Sequence, residues 1–453
     1  MTSIGIIEQN KIGRIRKRLM LPMKIVQFYL CATIVLFLFG PFKWPMHNSI
    51  LFFTFLIAAQ SALYIGYKIS INKYTKQNGD IPEADYKFMQ LLYIMIAINF
   101  IFTILNTIHN TGMSGFSIQD LYSKVQNGLF NPYEQYKDKF SSAQFGGALL
   151  TKTSTLFAPL CWSSIPLSLI YFKRLNLSFK AISIFSILLE SFRWVATGTN
   201  KGIFDILIII GIIVLIKKMQ RADLSAIQIL SSSKKKSKRK ILIILILLTL
   251  GITYFTNSIG SRVNENWYNL SVSTGNVPIE FDSFLSKICP VILQPTLVYL
   301  TSYLTQGYYA LSMALTLPWT PMFGIGNSMF LMENFKELSG NDVYPNTYQV
   351  KLMDYGWNPM ANWHSIYVWL ANDFHFIGVI PIMFILGFFF AEVVKDVVIL
   401  KKPSAVVLMC LFFIIFFYFP ANNQVLSYPS TFMTFWTVTL LWFMKRSFKL
   451  KIS

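Results

Sequence analysis

Charge is scarce in this chain. Asp, Glu, Lys and Arg make up 13% of its 453 residues, roughly half their share in a soluble domain. Acidic residues are scarcest, 20 against 40 Lys and Arg. Cysteine is nearly missing. Cys31, Cys161, Cys289 and Cys410 stand far apart, and no pair has the spacing of a zinc site, so they read as small apolar residues. There is no glycine-rich phosphate loop. Nor is there a carboxylate cluster that would hold a metal. An internal repeat, which would favour a transporter, is also lacking.

What fills the chain is apolar: 54% of residues are hydrophobic, in blocks of about 17–25 that suit helices crossing a hydrocarbon core. Ten spans are predicted at roughly 23–40, 49–67, 88–106, 148–172, 181–197, 203–217, 241–257, 377–394, 404–420 and 430–444. The basic N-terminus runs into a long apolar span with no small-residue cleavage site, so no cleavable signal peptide is expected.

The net charge of +20 invites a nucleic-acid reading, which the placement of the charges rejects. Segments 11–24, 68–87, 173–180, 217–240, 395–402 and 445–451 hold 29 of the 40 Lys and Arg. All fall on one side if the N-terminus is inside, as the excess of positive charge on cytoplasmic loops requires. The run Lys234–Lys240 is a stop signal beside anionic lipid. The expected class is therefore all-α: a polytopic transmembrane protein of about 10–12 spans with both termini cytoplasmic. Its parts are N-terminal transmembrane helices (1–257), a large extracytoplasmic loop (258–363) and C-terminal transmembrane helices (364–453). Residues 284–317 are apolar but carry Pro290 and Pro295, so a re-entrant or interfacial helix pair is expected there. The predicted cytoplasmic segments are too short for a nucleotide-using site, which places any chemistry on the other face.

Four constellations there could carry chemistry. His364 opens a stretch of aromatic, amide and acidic residues that continues to Gly378, with Asp373 nine residues on. It could act as a base or donate to a phosphate oxygen, or simply cap the span within an aromatic belt with Trp363 and Trp369. Arg193 and Lys201 flank a Thr197-Gly-Thr-Asn turn whose amides and cations suit an anion. An ion pair with Glu190 and snorkelling to headgroups are the alternatives. Arg262, just past a predicted span, suits a diphosphate or a lipid headgroup equally. Tyr303, Gln306, Tyr308, Tyr348 and Trp357 offer aromatic faces and an amide to sugar rings, or belong to a membrane-interface belt.

The His364–Gly378 stretch resembles the His-x-x-x-Leu-type block of the bacterial O-antigen ligase and polymerase superfamily, through His364, Asp373 and Gly378, with His375 where a further glycine is often seen. The Thr197–Lys201 turn looks like that family's Gly-Thr-Arg-type turn, with Lys201 in the place of the arginine. Tyr303–Leu315 together with Gly324–Ser328 is similar to Wzy-type repeat-unit polymerases. The resemblance implies a metal- and cofactor-independent glycosyltransferase of the bacterial inner membrane. Such an enzyme joins undecaprenyl-diphosphate-linked oligosaccharides into O-antigen or capsule, alongside membrane lipid and a chain-length regulator protein. His364 would be the base or align the acceptor, supported by Asp373. Arg193, Lys201 and Arg262 would hold the diphosphate. An O-antigen ligase, with lipid A core as acceptor, is the near alternative. A flippase or transporter of lipid-linked glycans is the distant one, and it would predict mid-span charges and repeated halves.

Overall fold

The computed structural model describes residues 12–74, 86–113, 115–135, 148–221, 249, 251–261, 267, 268, 270 and 274–449. These residues are helical apart from turns, loops and one isolated bridge between Phe42 and Ile279. The main helices are α1 (Leu21–Phe39), α2 (Ser49–Asn72), α3 (Tyr86–Thr111), α4 (Ile118–Phe130), α5 (Ala148–Ile170), α6 (Leu177–Ala196), α7 (Lys201–Arg221), α8 (Gln294–Ala314), α9 (Met329–Ser339), α10 (Ile366–Val398), α11 (Pro403–Tyr418) and α12 (Pro429–Lys449). Five stretches among the described residues are long and apolar enough to cross a membrane: Ile12–Phe39, Ser49–Asn72, Tyr86–Thr111, Leu149–Ile170 and Ile366–Val398. The predicted span at 241–257 lies mostly outside the described residues, and its end continues as helix 251–261.

Local chemistry starts these helices where the sequence allows it. The Asn48, Ser117 and Asn176 side chains accept from Leu51, Asp120 and Phe179 backbone N–H groups, each at 3.0 Å, which satisfies donors that the first helical turn leaves unpaired. Pro22 and Pro403 sit in the first turns of α1 and α11, where a missing N–H costs nothing.

Helices α2 and α10 make the closest contact. A Cβ on Gly66 would fall 2.0 Å from the Phe384 carbonyl oxygen, and one on Gly387 would fall 2.0 Å from that of Leu63. Two glycines facing each other's partner helix let the backbones touch, as small residues do between helices in lipid. At the end of this contact the basic residues gather. Glu392 accepts from Ser70 at 2.6 Å and pairs with Lys395 and Arg446. Asp396 binds Lys402 at 2.9 Å and Trp442 Nε1 at 2.8 Å. Arg16 reaches the Asn72 carbonyl at 2.7 Å. One end of the bundle is thus a cross-linked basic face. The starts of α2, α7, α10 and α12 lie at the other end.

Two features of 284–378 go beyond what the apolar blocks indicate. Residues 284–317 hold a short helix, Phe284–Ile288, a break at Pro290 and one long helix, α8, which Pro295 initiates from its first turn instead of interrupting. Helix α8 is a core element: the Tyr308 hydroxyl lies 3.0 Å from that of Thr33, and Trp44 Nε1 donates to Thr305 at 3.2 Å. Helix α10 begins at Ile366, and its part beyond His375 begins at the start of the predicted span 377–394. It breaks direction at His375, whose φ of 54° and ψ of 160° are non-helical. The polar pair Asn372 and Asp373, which disfavours a helix in lipid, is buried against loop backbone that satisfies it.

Candidate functional site

At the end of the bundle away from the basic face, α3, α5, α6 and the start of α12 line an open cavity of about 300 Å³. Asn99, Thr103, Asn106 and Asn110 recur along α3 at helical spacing and all line it, with His109 beside them. Ser154 and Trp162 of α5, Glu190 and Arg193 of α6 and Ser430 of α12 complete the wall. Ser154 donates to Asn106 Oδ1 at 3.2 Å. Amides, hydroxyls and an ion pair inside an otherwise apolar bundle demand a polar occupant, since a dry cavity would leave them unsolvated. The stripe 99, 103, 106, 110 was legible as one polar face of an apolar span, and the sequence reading passed over it in favour of the loops.

Arg193 does reach this cavity, and it arrives paired. Its Nε donates to Glu190 Oε2 at 3.2 Å, its Nη2 bonds Oε1, and Trp194 Nε1 donates to the same Oε1 at 2.8 Å. The guanidinium also lies 5.0 Å from the Trp194 ring centroid. The i,i+3 ion pair weighed as the alternative is present, so the site is electrically neutral rather than basic.

The turn after Arg193 is not an open amide cradle. The amides of Gly198 and Thr199 donate back to Val195 and Trp194 carbonyls at 2.9 Å, and that of Thr197 to Arg193 at 3.1 Å. They cap α6, as amides following a helix commonly do. Lys201 is likewise held, 2.8 Å from Asp205 Oδ2 and 4.7 Å from the Tyr428 ring centroid. It lines a second, smaller cavity of about 30 Å³ with Asn200, Tyr303 and Tyr418. That volume holds about one water molecule. Asn200 is 4% exposed, and neither polar atom of its side chain has a partner. Pro429 and Ser430 line the first cavity, and Tyr428 just before them has Lys201 of the second 4.7 Å from its ring centroid.

The remaining sequence candidates lie on the far side of Tyr303, whose ring is 4.1 Å from that of Trp363. Gln306 Oε1 accepts the Trp363 amide at 3.0 Å, and Trp357 Nε1 donates to its carbonyl at 3.2 Å. Tyr308, Tyr348 and Trp357 are at most 1% exposed. They are interior packing, with no ring face open to a sugar. His364 is 3% exposed and its Nε2 has no hydrogen-bond partner. Burial pushes its imidazole down to about 3, because an enclosed site disfavours the charged form.

Asp373 serves a different place. Its Oδ1 accepts from the amides of Gly324 and Gly326 at 2.8 and 2.9 Å. Its Oδ2 accepts from the Asn327 amide at 2.9 Å and from its side chain at 2.6 Å. The carboxylate is fully engaged in fixing the 324–327 loop. The two segments read as similar to the polymerases, His364–Gly378 and Gly324–Ser328, therefore meet, through a structural clamp rather than a catalytic dyad. Arg262 lies outside the described residues. Among the described residues, no group of three or more His, Cys, Asp or Glu is placed to hold a metal ion. Compared with protein-family models, curated proteins and solved structures, the chain matches none.

Proposed function

We propose that this is a multi-pass glycosyltransferase of the bacterial cytoplasmic membrane, with ten to twelve spans and both termini cytoplasmic. On this reading it polymerises undecaprenyl-diphosphate-linked oligosaccharide repeat units at the outer face into O-antigen or capsule. The observation that supports the reading is the 300 Å³ cavity, walled by asparagines, hydroxyls, Trp162 and the Arg193–Glu190 pair, at the end of the bundle opposite the basic face. Sugars are polyhydroxylated and uncharged, and a neutral wall of amides and hydroxyls with an aromatic ring matches them. A cavity among lipid-facing helices also suits a substrate whose polyprenyl chain stays in the bilayer.

A lipid-linked donor carries its own leaving group, so the protein must steady the departing diphosphate and accept one proton. Arg193, already at the cavity wall, exchanges Glu190 for the diphosphate as charge develops, and Lys201 and Arg262 support it. His364, enclosed behind Trp363, aligns the acceptor side through the Trp363–Tyr303 contact. Direct displacement inverts the anomeric centre, which comparison of donor and product linkages by NMR checks. The proposal as a whole is tested by gel profiling of surface glycans from a deletion strain. Single-repeat glycans with no ladder support it. An unchanged ladder, or lipid-linked polymer that is never attached, contradicts it.

A further inference from the structure

At 3% exposure, His364 cannot meet a substrate hydroxyl in this structure. A different histidine can. His109, at the end of α3, is exposed and lines the 300 Å³ cavity together with Arg193 and Glu190. We infer that His109 is the base that takes the proton from the acceptor hydroxyl, an inference that rests on the glycosyltransferase reading above.

The cavity supplies what this step needs. The polar stripe Asn99, Thr103, Asn106 leads up the same helix to His109 and can seat a sugar by its hydroxyls. The guanidinium of Arg193 lines the same cavity and can meet a diphosphate oxygen there. Base and cation thus face one volume large enough for a sugar ring and its leaving group. In the step, the acceptor oxygen attacks the anomeric carbon while the bond from that carbon to the diphosphate oxygen breaks. The bonding electrons leave with the diphosphate. The acceptor proton passes to a ring nitrogen of His109 and from there to water at the cavity mouth.

Among the described residues, the titratable and charged groups that line the cavity with His109 come from two helices. Helix α6 contributes Glu190 and Arg193, bound to each other. Helix α5 contributes Cys161, while its Lys152 turns outward to Glu337 at 3.4 Å. The segment of α12 on the wall is uncharged. Imidazole is the side chain that changes protonation nearest neutral pH and is suited to this exchange.

The test uses the full-length protein in proteoliposomes with a synthetic undecaprenyl-diphosphate repeat unit, followed across pH 5.5–8.5. Wild type should show a rate that falls as pH drops through the titration of a single base. His109→Gln and His109→Asn should lower kcat by about a hundredfold or more, leave KM within about twofold and lose that acid limb. If either variant keeps the wild-type rate and acid limb, the inference is overturned and the glycosyltransferase reading stands. If the wild-type protein forms no glycosidic bond at any pH, it is the underlying reading that fails.

Discussion

Arg193 and Glu190, one helical turn apart on α6, are joined through both carboxylate oxygens, with Nε 3.2 Å from Oε2 and Nη2 on Oε1. Their side chains are about one-fifth exposed, so neither is fully solvated and each depends on the other. Arg193 and Lys201, which line the two cavities near α12, are each matched to a carboxylate on their own helix. Neither cavity therefore carries an unmatched cation from these two residues.

Separating the pair should affect function and stability differently. Arg193→Ala strands Glu190 with Trp194 as its remaining partner, and should both stop chain growth and cost about 2 kcal/mol, less than the ~3–5 kcal/mol for a fully buried pair because the side chains are about one-fifth exposed. Arg193→Lys keeps the charge without the fork and should give short ladders. Glycan gels and unfolding in detergent measure the two effects. A full-length ladder from Arg193→Ala would remove Arg193 from the site.

The glycine contact between α2 and α10 gives a prediction about the fold alone. Gly387→Val places a branched side chain where even a Cβ would sit 2.0 Å from the Leu63 carbonyl oxygen. The helices must separate, at a cost of several kcal/mol. The variant should melt well below wild type in a detergent thermal-shift assay, whereas Gly211→Ala, which faces open space, should not.

Much of this architecture was legible from apolar blocks alone. Helices α1, α2, α3, α5 and α11 start within about two residues of their predicted spans, because in lipid each helix must satisfy its own backbone. The site was less legible. The Arg193–Glu190 pair could be seen from its spacing, but the enclosure of Tyr308, Tyr348 and Trp357 depends on α8 folding into the bundle, and hydropathy reads a tyrosine-rich helix as loop. His109 was hidden for a different reason: a single histidine at a helix end has no pattern until α5 and α6 bring Ser154 and Glu190 opposite it. Asp373 carried a visible motif but not its meaning, since its partners Gly324–Asn327 are nearly fifty residues away.

Asp373→Ala should therefore behave as a loop mutation. Four hydrogen bonds to a buried carboxylate are lost, a change worth roughly 3–5 kcal/mol. The segment around Gly324 should become cleavable by protease in the folded protein. Cleavage no faster than in wild type would mean that the clamp contributes little.

Stability should also depend on pH through His364. Its folded imidazole is held down to about 3, against about 6.5 in the unfolded chain. Between those values only the unfolded chain binds the proton. Stability is therefore complete above roughly pH 6.5 and falls by up to about 1.4 kcal/mol per pH unit below it. His364→Gln removes this dependence. Melting temperatures of the two proteins from pH 7.5 to 4.5 should diverge, wild type falling more steeply, and parallel curves would contradict the enclosed position of this residue.

The central claim is that this chain joins lipid-linked glycans. Its most direct test is the purified protein in liposomes, given only undecaprenyl-diphosphate-linked repeat units and no nucleotide. A ladder of lipid-linked oligomers, released diphosphate carrier in matching amounts and loss of both in Arg193→Ala are the predicted result. Substrate moved across the bilayer, or left untouched, with no new glycosidic bond would contradict it.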